Sequence, residues 1–163
     1  ATLDQENMTR DDVQRMDDIL AFISNIGHAG DIAHHGLLSH IAKLRKQGWT
    51  FSPEQRASLD DTLGELISNQ RQAAALFVND DLRQARALAG EKSRFRTIET
   101  QAADAHLQKI KGGQVDAAEV GALYLDILRD MKGINSHLVG AAAYPLLARH
   151  GELLPSRLRE AGN

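Results

Sequence analysis

The sequence predicts an all-α fold, an up-down-up-down bundle of four long helices. Three observations lead there. Apolar residues recur at steps of three and four through most of the 163 residues. No stretch shows strand alternation or hairpin turn chemistry. Three short breaks divide the helical pattern, and short connections make consecutive helices antiparallel neighbours. No linker splits the chain, so one bundle domain is expected over residues 9–150, with a polar lead-in at 1–8 and a tail at 151–163.

The first helix opens at Thr9, with Asp12 three residues on in capping-box spacing. Val13, Met16, Leu20, Ile23, Gly27, Gly30, His34, Leu37 and Ile41 then trace one face, and Gly48 after Lys43, Arg45 and Lys46 ends it. Ser52-Pro53-Glu54-Gln55 is the clearest helix start in the chain. The second helix carries Leu59, Leu63, Leu66, Gln70, Ala73 and Phe77 inward and breaks at Asn79 and Asp80, which can cap the third. The third buries Leu88, Phe95, Ile98, Ala102 and Ile110 and stops at Gly112-Gly113. Asp116 and Glu119 give another capping-box spacing. The fourth runs through Val120, Leu123, Ile127, Met131, Ile134, Leu138 and Ala141, and Pro145 either kinks or ends it.

Composition narrows the function classes. The chain is 42% apolar and 25% charged, which is ordinary for a soluble globular protein. There is no cysteine, so disulfides, thiolate metal sites and cysteine nucleophiles are excluded. A net charge of −3 speaks against a nucleic-acid partner. No apolar run is long enough to span a membrane. Acidic residues, among them Asp11, Asp12, Asp17, Asp18, Asp80 and Asp81, gather at one end of the expected bundle; Lys43, Arg45, Lys46, Lys109 and Lys111 gather at the other. The basic end suits an anionic membrane surface or an acidic partner, beyond its ordinary complement to the helix dipoles.

Two stretches stand out for glycine, histidine and carboxylate inside helical patterns, residues 22–35 and 125–144. Glycine within a helix costs about 0.5–1 kcal/mol relative to alanine, and close helix approach explains its presence. The first and fourth helices are therefore expected to touch through Gly27, Gly30, Gly133 and Gly140. On the fourth helix Asp126, Asp130, Gly133, His137, Gly140 and Tyr144 form a second stripe beside the apolar seam. Asp31 with His34 or His35 could hold a metal from one helix face, with Asp130 and His137 completing the set. The bland alternative is a solvated charged stripe. No Glu-x-x-His pair, H-E-x-x-H, G-x-S-x-G or phosphate loop occurs. The chain is expected to be no enzyme and to carry no organic cofactor; a divalent or iron-type metal ion is the one candidate.

LYLDILRDMKGINSHLVGAAAYPLL, residues 123–147, and NIGHAGDIAHHGLL, residues 25–38, resemble the signature helices of the PhoU family. They are more similar still to the PhoU-like domain of bacterial sodium/phosphate cotransporter proteins. Weaker similarity covers residues 94–110, with Arg94, Glu99, His106 and Leu107. The resemblance implies a soluble helical domain on the cytoplasmic side of the inner membrane, concerned with phosphate transport or its control. It further implies that the chain is one piece of a longer protein whose membrane transporter part is its partner. PhoU proteins carry Glu-x-x-x-Asp on both signature helices as metal ligands. Here the four positions are Gly27, Asp31, Lys132 and Ser136, so only Asp31 keeps the family's residue. Four helices stand where a full PhoU chain has six. A homodimer is therefore expected, in which the first or fourth helices complete each other's missing layer. The remaining alternatives are a metal-binding bundle and a purely structural dimerisation module.

Overall fold

The computed structural model describes residues 8–114 and 118–152. Every described element is helical, and no strand occurs among the described residues. Helix α1 spans Arg10–Asp31 and runs through a π-helical segment, Ile32–Leu37, into α2, Leu38–Gln47. Helix α3 is Pro53–Val78 and α4 is Leu82–Lys111. Helix α5, Ala118–Leu138, runs through a second π-helical segment, Val139–Ala143, into α6, Tyr144–Arg149. Two of the four rods are thus compound, and the four alternate in direction.

Local chemistry explains the boundaries. Thr9 and Asp12 form a reciprocal capping box on α1, and Ser52 with Gln55 forms another on α3 behind Pro53. Gly48 ends α2 at φ 66°, a left-handed conformation that glycine adopts without steric cost. Helix α4 is capped by Asp81, which accepts from the backbone N–H groups of Arg83 and Gln84; Asn79 and Asp80 do not serve. Pro145 neither ends nor breaks the last rod. It has no N–H to offer the preceding turn, and the wider turns of Val139–Ala143 lead into α6 across it. Asp116 of the expected box and the tail beyond Glu152 lie outside the described residues, as does the lead-in apart from Met8.

Helix α5 is the centre of the molecule and packs against α1, α3 and α4. It buries Leu123, Ile127, Leu128, Met131, Ile134 and Leu138, with Val139, Ala142 and Ala143 continuing the core. Leu88 and Phe95 of α4 and Leu66, Ala73 and Leu76 of α3 close it from the other side. Leu63 and Ile110, expected inside, are exposed. In place of an apolar residue the core holds Asn135, fully buried, whose Oδ1 accepts from Asn69 Nδ2 at 2.9 Å.

The first rod lies against the outside of α5. Its buried side is Asp18 and Ala29, with Phe22, Ile32, Leu37 and Leu44 packed on the core. Phe22 stacks on Phe77 of α3 at 4.2 Å between centroids, and buried Asp18 pairs with Arg149 of α6 at 3.2 Å. The face expected to point inward points outward. Val13, Met16, Leu20 and Ile23 are 42%, 46%, 57% and 62% exposed, and Gly27 and Gly30 share that side.

Candidate functional site

The two stretches singled out by sequence face each other across one cleft, between the first rod and α5. Their register is antiparallel. Asn25 Oδ1 lies 3.0 Å from His137 Nδ1, and the His28 and His137 rings are 5.3 Å apart between centroids. Further along, Ile32 meets Gly133, and Gly36 and His40 meet Asp130. His40 Nδ1 lies 2.9 Å from Asp130 Oδ2.

Close approach comes from glycines, but not from the expected set. A Cβ built on Gly36 would sit 2.5 Å from Asp130 Oδ2; one on Gly140 would sit 3.1 Å from Asn25 Oδ1, and one on Gly133 3.2 Å from Ile32 Cδ1. Gly133 and Gly140 are thus at the helix contact. Gly27 and Gly30 are not, since a Cβ on either would meet nothing within 4 Å. The π segment explains why the cleft takes His40, which regular helical spacing does not turn inward. It inserts one residue into the helical count, and the inward positions run Ile32, Gly36, His40, Leu44. A regular α-helix of 3.6 residues per turn would have turned Ser39 and Lys43 inward instead.

The candidate metal ligands are scattered. Asp31, His34 and His35 are exposed, and the two imidazoles meet each other edge to face at 4.7 Å. Asp130 is engaged by His40 and His137 by Asn25. Among the described residues no three His, Asp or Glu side chains gather as a metal ion would require. Lys132 is ion-paired with Glu99 of α4, and Arg129 reaches the same carboxylate at 3.4 Å while also holding Asp126 at 3.0 Å. The Lys132 hydrogen bond, aided by both cations, holds the Glu99 carboxyl below the usual carboxylate range. Beyond the second π segment Tyr144 turns toward α4, where Lys92 Nζ lies over its ring.

His137 is displaced from ordinary imidazole behaviour. Partial burial lowers its pKa, and the neighbouring His28 adds to the effect. A neutral His137 can donate from Nδ1 to Asn25 Oδ1, while Asn25 Nδ2 donates to the Ala21 carbonyl at 2.9 Å. The cleft is therefore a set of polar groups that satisfy one another between two closely packed helices. Such an arrangement fixes the register of one rod on the other.

The chain is 30% identical over 148 residues, 90% of its length, to the "Putative inorganic phosphate export protein YjbB" of Salmonella typhimurium. It is 29% identical over 153 residues, 93% of its length, to the proteins of the same name in Escherichia coli (strain K12) and Shigella flexneri. It spans 27–28% of the length of these relatives. No protein-family model matches the chain, and no solved structure matches it significantly. The names of these relatives are phosphate-related, in keeping with the direction of the sequence resemblance.

Proposed function

We propose that the chain is a PhoU-like domain of a phosphate-transporting membrane protein, of the sodium/phosphate cotransporter type, and that it acts on transport through protein contacts. One observation carries this reading: nine-tenths of the chain aligns with about a quarter of proteins named for inorganic phosphate export. Among the described residues no helix is long and apolar enough to cross a membrane, so any membrane crossing belongs to another part of such a protein. Its partner is that membrane part, and its place is the cytoplasmic face of the inner membrane. The packing of residues 25–38 against residues 123–147 supports the PhoU-like assignment, since the two signature stretches build one cleft. Action by contact fits a cleft whose histidines and carboxylates are engaged with each other.

The test is phosphate efflux from cells expressing the full-length protein, with and without this domain, at matched membrane abundance. Removing the domain is expected to change the efflux rate, or its dependence on internal phosphate, several-fold. Gly36→Leu, which wedges the cleft, should act in the same direction. Unchanged efflux and unchanged phosphate dependence after removal would falsify the reading.

A further inference from the structure

The outer face of α1 has the pattern of a helix seam with nothing on it. Val13, Met16, Leu20, Ile23, Gly27 and Gly30 follow one another at steps of three, four, three, four and three, and all six are exposed. Strict alternation of three and four is the spacing of a helix that packs lengthwise on another helix. The next member, Leu38, comes eight residues after Gly30, a heptad plus the residue inserted by the π segment, and it is 58% exposed. Leucines, isoleucine and methionine in water gain nothing from this spacing. Exposed glycines mid-helix weaken the helix and relieve no clash within the chain.

We propose that this seam is the contact between two copies of the chain, crossing antiparallel about a two-fold axis between Gly27 and Gly30. Two features of the rod select a second copy. The first is position. The rod runs from Arg10 to Gln47, so its midpoint falls between His28 and Ala29, inside the Gly27–Gly30 interval. An antiparallel partner centred there overlaps the whole rod, its backbone comes closest where no side chain intervenes, and Leu20 of each copy lies beside the partner's Leu38. The second is charge. One end of the rod carries exposed Asp11, Asp12 and Asp17, offset by Arg10, while Arg15 is turned onto the Phe77 ring. The other end carries exposed Arg45 and Lys46, with Lys43 exposed over the Trp49 ring, and no acid. Antiparallel pairing sets the acidic end of each copy against the basic end of the other; parallel pairing would stack like charges. The contact is isologous and closes as a dimer. Helix α5 cannot take this part, because α1, α3 and α4 already cover it. The inference does not depend on the transport reading.

The experiment uses the 163-residue chain, which has no native cysteine. Light scattering from low to high micromolar protein should show a dimer, and the double variant Leu20→Glu with Ile23→Glu should be monomeric with an unchanged far-UV circular dichroism spectrum. A short bismaleimide should link Gly27→Cys chains into dimers. It should leave Met16→Cys chains unlinked, since the two thiols would lie on the order of 35 Å apart at 1.5 Å per residue. A wild-type monomer at high micromolar concentration overturns the proposal and assigns the seam to another partner. A dimer that survives the double charge variant overturns the seam as its contact. Equal linking of Met16→Cys and Gly27→Cys overturns the antiparallel crossing.

Discussion

Helices α1 and α5 lie side by side, have 22 and 21 residues, and are both amphipathic, yet α1 buries two residues where α5 buries eight. The buried residues of α5 are mostly Leu, Ile and Met; those of α1 are Asp18 and Ala29. The large apolar residues of α1 are therefore mostly on the wrong side for the core of one chain. The difference teaches that a helical apolar stripe marks a surface that needs covering, without saying what covers it. On α5 the cover is the rest of the chain. On α1 the core takes a narrower face made of small, polar and aromatic residues, held by the Asp18–Arg149 pair, the Phe22–Phe77 stack and the Asn25–His137 contact.

The largest test of this contrast compares one leucine from each helix. Leu138 is 2% exposed, and Leu138→Ala should cost about 2–5 kcal/mol in urea unfolding. Leu20→Ala, measured on dilute monomer, should change stability by no more than about 0.5 kcal/mol. Similar losses at both positions would mean that the seam of α1 belongs to the core after all.

A finer comparison uses two glycines of the same rod. Gly30→Ala adds a methyl group to open surface and should raise stability by about 0.5–1 kcal/mol through helix propensity. Gly36→Ala puts the same methyl group against the Asp130 carboxylate, which must swing away from His40. That displacement should cancel the propensity gain and leave the variant neutral to about 2 kcal/mol destabilised, within the range for overpacking. The check is the pair of melting midpoints at one dilute protein concentration. A higher midpoint for Gly36→Ala than for Gly30→Ala would refute the close approach at Asp130.

The smallest expected effect concerns pH. With its pKa lowered by burial and by His28, His137 binds fewer protons in the folded chain than in the unfolded one. Its contribution to stability is present above the ordinary imidazole pKa, about 6.5, and is lost as pH falls below it. The wild-type melting midpoint should therefore drop between pH 7.5 and pH 5.5, and His137→Gln should drop less. Equal drops in the two proteins would show that His137 is solvated and outside the cleft.

Much of the fold was legible from residue types. The capping residues Thr9, Ser52 and Gln55, the stop at Gly48 and the three-four periodicity placed the rods and their alternation, because each works through atoms within a turn or two along the chain. Half of the cleft was legible too: Asp130, Gly133 and His137 of α5, and Gly140 of the π segment that follows it, lie on the side that meets the first rod. Their partners Gly36 and His40 were not: the apolar stripe of the first helix marks the opposite face, and the residue inserted by the π segment, which brings His40 inward, cannot be read from local spacing.

What the sequence by itself determined is therefore local and periodic: four helical rods, the starts of the first two at Thr9 and Ser52, and which surfaces are apolar enough to require a neighbour. Only the tertiary structure decided which of two competing faces of α1 the core would take, that Lys132 would be spent on Glu99, and that Asp130 would answer to His40. Those choices turn on how one rod's glycines and side chains fit another's across the cleft. The free energy of a contact between residues about ninety apart in sequence, like that of His40 with Asp130, depends on a geometry that neither stretch carries alone.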